Sequence, residues 1–205
     1  MVRVAVLVSG GGTNLQAILD AKAAGRIPSA EITLVVASNG KAYALERAAR
    51  AGIPAQVLRR DKGRPMADYG EELLALLGEH RIDLVVLAGF LTILPENVIR
   101  AYDHRILNIH PSLIPAFCGA GFYGLRVHEA ALARGVKVTG ATVHYVNEIP
   151  DGGDIIAQKA VAVCPGDTPE ILQRRVMEQA EWLLLPQAVE DVARALAEGA
   201  NHGTD

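Results

Sequence analysis

Short runs of β-branched and aliphatic residues alternate along this chain with longer amphipathic stretches, and that alternation constrains the fold more than any other feature. Val2–Val8, Glu31–Ser38, Ala55–Leu58, Leu84–Ala88, Ile106–His110, Lys137–Val146 and Ile155–Val163 read as strands. The first, second and fourth are almost continuous Val, Leu, Ile and Ala, the pattern of a parallel strand buried on both faces. Asn14–Ala24, Tyr43–Ala51, Pro65–His80 and Pro95–Tyr102 read as the intervening helices. Strands alternating with helices imply βαβ units, so the fold class is α/β with a mostly parallel open sheet and flanking helices.

The second half changes character. Pro111–Leu125 holds two prolines and three glycines without a clear period, so it reads as a long loop, and loops of that length are often functional. Lys137–Val146 and Ile155–Val163 flank the turn-rich segment 147–153 and form an antiparallel hairpin. Thr168 to about Ala197 is amphipathic, with Pro186 expected to break or kink it. No linker, repeat or low-complexity block divides the sequence, so one domain over residues 1–205 is the simplest organisation, with Ala200–Asp205 a frayed tail.

Composition removes several function classes. Half of the 205 residues are hydrophobic, 21% are charged and the formal net charge is −3, which describes an ordered globular chain without the basic surface of a nucleic-acid binder. Cys118 and Cys164 lie too far apart for a metal-finger spacing or a disulfide framework and read as reduced thiols in a cytoplasmic protein. The apolar start at Val2–Val8 is too short to span a membrane and runs into glycines instead of a signal-peptide cleavage pattern, so no membrane role is expected.

The first strand ends in Ser9-Gly10-Gly11-Gly12-Thr13-Asn14-Leu15-Gln16. Glycines let the chain turn sharply and let a ligand approach the backbone. The helix that follows offers free N–H groups and a positive dipole end, and Thr13 with Gln16 fits a capping box. The loop is expected to bind an anion, and phosphate fits it. It is neither a Walker A loop, since no Gly-Lys-Ser/Thr follows, nor a dinucleotide fingerprint, since Leu15 stands at the third glycine position. A glycine-rich turn with no ligand is the alternative.

A second polar motif ends the strand Ile106–His110. Period-two alternation puts Asn108 and His110 on one face. An asparagine amide or a protonated histidine can stabilise an oxyanion formed when an amine attacks a carbonyl, and a histidine can handle the protons. A nearby carboxylate would raise the histidine pKa, and Asp151 is the leading candidate, although Asp-Gly alone is only a turn signal. Thr142 and His144 share a face of the hairpin, where His144 serves either as a supporting residue beside the site or as a core histidine. His80, His104, His128 and His202 read as solvated. No cluster has trustworthy metal-ligand spacing, and no nucleophile elbow is present.

Taken together, Ser9–Gln16, Leu87–Phe90, Leu107–Pro115, Thr139–His144 and Asp151–Gly153 resemble the folate-dependent phosphoribosylglycinamide formyltransferases, in motif order and over nearly the whole chain. The resemblance implies the Rossmann-like formyltransferase fold and direct formyl transfer from 10-formyltetrahydrofolate to the amine of glycinamide ribonucleotide, without metal or covalent enzyme intermediate. It implies oxyanion stabilisation by Asn108 and His110, with Asp151 keeping His110 charged. It implies a phosphate site at Gly12, Thr13 and Asn14, so that the N-terminal half binds the ribonucleotide. It implies a folate pocket built from Leu91, Thr92, Ile93, Leu94 and Asn108 with Asn147, Glu148, Ile149, Pro150 and Asp151, in the C-terminal half. A homodimer is open to such a chain, and no residue pattern bears on it.

Three departures from the family pattern stand out. The substrate-binding glutamate of the ribose and amine group is Glu181 when counted from Pro186, and the position falls on Ala180 when counted from Arg175-Val176; Glu181 is taken, with Glu178 as its helical neighbour. Thr92 stands where some members carry a folate-contacting arginine, which leaves Arg64 as a candidate for the folate carboxylates. Cys118–Leu125 is long and rich in glycine and aromatics, as a mobile lid would be. Methionyl-tRNA formyltransferase normally adds a tRNA-binding domain, and formyltetrahydrofolate deformylase an N-terminal regulatory domain; neither is read in this sequence. A non-catalytic nucleotide-binding module would leave Asn108, His110 and Asp151 without a role.

Overall fold

A computed structural model describes residues 1–201. The elements in chain order are β1 (Val2–Val8), α1 (Thr13–Ala23), β2 (Ala30–Ala37), α2 (Ala44–Arg50), β3 (Ala55–Val57), α3 (Met66–Glu79), β4 (Leu84–Leu87), α4 (Glu96–Ala101), β5 (Ile106–His110), α5 (Leu125–Arg134), β6 (Val138–Tyr145), β7 (Ile155–Ala162), α6 (Pro169–Val176), a π-helical turn (Met177–Glu181) and α7 (Trp182–Asn201). The seven strands form one sheet in the order β3-β2-β1-β4-β5-β6-β7. β1 to β5 are parallel, and β6 and β7 join antiparallel.

The almost unbroken aliphatic run of β1 is explained by its place at the centre. Val4, Val6 and Val8 pack into one core with Leu15 and Ile18 of α1 and Leu185 and Val189 of α7. Ala5 and Leu7 face the other side and pack with Leu73 and Leu77 of α3 and Val98 of α4. Each fully buried aliphatic side chain is worth roughly 1.5–3 kcal/mol, so a strand apolar on both faces secures two helical layers at once. β2 and β4 flank β1 on opposite sides, so the strand order reverses there. In open α/β sheets that reversal opens a crevice at the carboxyl ends of the strands, where ligands bind. Ser9–Gly12 and the connection after β4 both lie at that end.

Several expectations need correction. The capping box does not form: Gly12 is the N-cap in a left-handed conformation with no side-chain cap, and Gln16 instead donates to Asp20 and accepts from Arg47. Helix α5 goes beyond the expected elements. Its buried stripe is Val127, His128 and Ala131, so a histidine fills a core position and the apolar signal is thin. His128 is therefore buried, not solvated, and burial aided by nearby His110 pushes its pKa down to about 4. His80 is half-buried and His104 exposed, while His202 lies outside the described residues. Pro186 sits inside α7 without ending it. The irregularity falls earlier, in a π turn that gives way to α7 at Trp182, the residue whose carbonyl an amide at position 186 would have bonded. Of the expected frayed tail, Ala200 and Asn201 belong to α7 and residues 202–205 lie outside the described residues. No helix among the described residues is long and apolar enough to cross a membrane.

Candidate active site

The two faces of β5 differ. Leu107 and Ile109 enter the α1/α7 core, whereas Asn108 and His110 share the opposite face. The antiparallel register sets Asn108 across from His144 and His110 across from Thr142. Thr142 then organises the chain after His110, since its hydroxyl donates to Ser112 O at 2.7 Å and accepts from the Ile114 amide at 3.1 Å.

Asp151 arrives from the turn between β6 and β7, which folds back over this surface. Its backbone is left-handed at φ +56°, a conformation aspartate tolerates better than most residues. The two glycines after it are required by space. A Cβ on Gly152 would lie 2.6 Å from Ile149 Cγ2, and one on Gly153 would lie 1.8 Å from Tyr145 O. The Asp-Gly-Gly motif is thus the sequence of a turn pressed against its own hairpin.

One Asp151 carboxylate oxygen, Oδ2, faces His110 Nδ1 at 3.4 Å and accepts from the Gly119 amide at 2.8 Å. The other, Oδ1, lies 3.6 Å from His144 Nε2 and 3.5 Å from Asn108 Nδ2. His144 Nδ1 lies 2.7 Å from Tyr145 O, a carbonyl that can only accept. Its Nε2 is then free to accept from Asn108 Nδ2 at 3.1 Å. This pair fixes which way the Asn108 amide points and leaves its second N–H with only the long 3.5 Å contact to Asp151 Oδ1. His110 Nε2 lies 2.9 Å from Phe117 O. Backbone atoms of Phe117 and Gly119 therefore hold both members of the His110–Asp151 pair, a contribution visible in advance only as a long loop starting beside the histidine.

The electrostatic balance corrects one expectation. Both His110 nitrogens face oxygen acceptors, which favours the charged ring, but burial opposes it more strongly and the His110 pKa lies below its ordinary value. Burial alone would raise the Asp151 pKa; the His144 contact, the Gly119 amide and the His110 charge bring it below the ordinary carboxylate value. Asp151 is thus biased towards its carboxylate form and His110 towards its neutral ring.

A pocket opens beside this cluster. It is lined by Phe90 and residues 91–94 from the connection after β4, by residues 147–151 of the turn after β6, and by Asn108 and His144. Leu91, Ile93 and Ile149 are exposed and Leu94 is buried, so the walls present a largely apolar slot. Arg64 does not line this pocket; it is exposed and ion-paired with Glu72 at 2.6 Å.

The glycine loop forms a second subsite. Gly12 has φ +69°, and a Cβ there would lie 2.6 Å from the Ala44 side chain, so bare backbone is needed on both grounds. Thr13 opens α1 and carries one of the amides that an α-helix leaves unpaired at its start. Buried Asn14 donates to Glu181 at 2.7 Å. The π turn brings Glu181 inward to 6% exposure, and burial raises its pKa to about 7 against the lowering effect of Asn14. Glu178 does not join them. It is exposed in a groove with Arg174 and Arg175, because the wider i→i+5 turn separates residues three apart that an α-helix would stack. No group of three or more His, Cys, Asp or Glu among the described residues is arranged to hold a metal.

Known proteins share this architecture. The formyl transferase family model matches residues 2–189. The phosphoribosylglycinamide formyltransferase of Haemophilus influenzae is 39% identical over 92% of this chain and 86% of its own length. The chloroplastic enzyme of that name from Arabidopsis thaliana is 40% identical over 86% of this chain, which spans only 61% of the plant protein. Glycinamide ribonucleotide transformylase 1 from Symbiobacterium toebii superposes with a TM-score of 0.87 at 43% identity, covering 95% of this chain and 89% of the other. A formyltetrahydrofolate deformylase from Pseudomonas syringae superposes at 0.85 with 29% identity, and 62% of its chain is covered. Fold, polar cluster and sequence agree, and the chain belongs to the formyl transferase family.

Proposed function

We propose that this protein transfers the formyl group of 10-formyltetrahydrofolate to the amine of glycinamide ribonucleotide, a step of purine synthesis. The observation that carries this reading is that Asn108 and Asp151 line an apolar slot, with His110 3.4 Å behind Asp151, in a fold that also holds the glycine loop against Glu181 through Asn14. The slot suits a flat heteroaromatic ring, with Leu91, Ile93 and Ile149 against its faces. Gly12, Thr13 and Asn14 receive the ribonucleotide phosphate, and Glu181 its ribose or amine end.

Each polar group then has a task. The amine attacks the formyl carbon, and negative charge grows on the formyl oxygen. Asn108, oriented by His144, donates to that oxygen. Burial biases His110 towards its neutral ring, so it takes up the proton that the attacking amine loses; as the tetrahedral intermediate collapses and the bond from the formyl carbon to the folate nitrogen breaks, that proton passes to the leaving nitrogen. Ionised Asp151 stabilises the imidazolium as it forms. Arg64 and Glu178 have no part in this scheme.

The test is turnover by purified protein of 10-formyltetrahydrofolate with glycinamide ribonucleotide or water as acceptor. Ribonucleotide-dependent formation of the formylated product is expected. Folate release that ignores the ribonucleotide would replace this reading with a deformylase.

A further inference from the structure

Helix α2 supplies two of the donors that hold the glycine loop. Four successive carbonyls of the loop have donors. Ser9 O accepts from Asn39 Nδ2 at 2.9 Å, Gly10 O from the Ala44 amide at 3.1 Å, Gly11 O from Arg47 Nε at 2.8 Å, and Gly12 O from the Gln16 amide at 2.9 Å. A peptide plane whose carbonyl is anchored on one side presents its amide on the other. An anion-binding nest requires this arrangement of successive N–H groups.

Arg47 spans two of the loop's supports. While Nε holds Gly11 O, Nη1 donates to Gln16 Oε1 at 2.9 Å, on the first turn of α1. Its guanidinium lies 5.1 Å from the centre of the Tyr43 ring, a cation–π contact that restrains the side chain from behind. Ala44, on the same helix, presses on Gly12 so closely that no Cβ fits there. Arg47, Gln16 and Thr13 line one groove beside the loop. A surface arginine with no task would not be expected to join a loop carbonyl, a helix side chain and an aromatic face.

We propose that Arg47 is a positioning residue for the ribonucleotide phosphate: it fixes the Gly11 peptide so that the loop amides face the anion, and it sets a permanent positive charge beside them. This rests on the phosphate reading of the loop given above. Arginine is suited to the task because a planar fork can reach Gly11 O and Gln16 Oε1 together, whereas the lysine ammonium is a point charge on a flexible stem.

The experiment compares wild type, Arg47→Met and Arg47→Lys in steady-state formyl transfer, with inorganic phosphate as a competitor of the ribonucleotide. Arg47→Met is expected to raise the ribonucleotide KM and the phosphate Ki together by about tenfold, the scale of one hydrogen bond to a charged group. Its kcat, folate KM and thermal midpoint are expected to stay near wild type. Arg47→Lys is expected to recover only part of the loss, because charge returns without the two-point contact. An unchanged ribonucleotide KM in Arg47→Met, an equal rise in both substrates' KM, or full recovery by lysine would overturn the positioning role. Wild-type turnover that is insensitive to phosphate would instead remove the phosphate reading of the loop, and this inference with it.

Discussion

At the scale of single residues, the site is governed by what faces each titratable group. Asp151 contacts His110, His144, Asn108 and the Gly119 amide. Asp151→Asn keeps size and shape but removes the charge that the His110 imidazolium needs. A loss in kcat of roughly 10²–10⁴-fold is expected, the span of a general acid–base contribution, with the thermal midpoint little changed. Turnover within tenfold of wild type would sink the role given to Asp151. Glu181 permits a test by pH. Its pKa near 7 means that the carboxylate form, the better acceptor for an amine or ribose hydroxyl, is filled only as pH rises through neutrality. The ribonucleotide KM is therefore expected to fall between pH 6 and 8 in wild type. In Glu181→Gln it is expected to be higher and flatter, and an identical slope in both proteins would exclude Glu181 as the titrating group.

At the scale of elements, legibility follows how much of a segment's environment is local. β1, β2 and β4 are bounded correctly to within a residue or so because burial on both faces leaves an unambiguous aliphatic run. The glycine loop and the Asn108–His110 pair are equally legible, since glycine geometry and period-two alternation are properties of neighbours in sequence. Asp151 is not legible from its neighbours: its role depends on a turn folding back across the sheet, and only family likeness singles it out. α5 hides because His128 occupies a core position, and the π turn hides because it answers to Pro186 and to Asn14, far away in sequence. That turn gives a test at its own scale. Deleting Gln179, an exposed residue within the turn, shortens it by one residue so that a regular α-helix can run through. Glu181 would then rotate away from Asn14. Ribonucleotide binding is expected to weaken at least tenfold while folate binding, measured by fluorescence titration, stays near wild type; parallel loss of both would show that the π turn serves only stability.

At the scale of the whole molecule, two buried groups give stability opposite dependences on pH. His128 has a folded pKa near 4 against an ordinary 6.5, so the folded state binds fewer protons than the unfolded chain in that interval. Its contribution is fully present above 6.5 and is lost as pH falls towards 4, by roughly 3 kcal/mol at 1.36 kcal/mol per unit. His110, also lowered by burial, acts in the same direction. Glu181 is raised from 4.5 to about 7, so the folded state binds more protons there. Its contribution is complete below 4.5 and is lost as pH rises through 7, with a similar magnitude. The two nearly cancel across mildly acid pH, and wild type is expected to show only a shallow decline in its urea midpoint from pH 7 to 4.5. Removing either partner exposes the other. Glu181→Gln is expected to lose stability steeply as pH falls over that range. His128→Leu, which keeps an apolar side chain of similar bulk in the core position, is expected to hold or gain stability as pH falls. Parallel midpoint profiles for all three proteins would mean that neither group changes its proton occupancy on folding.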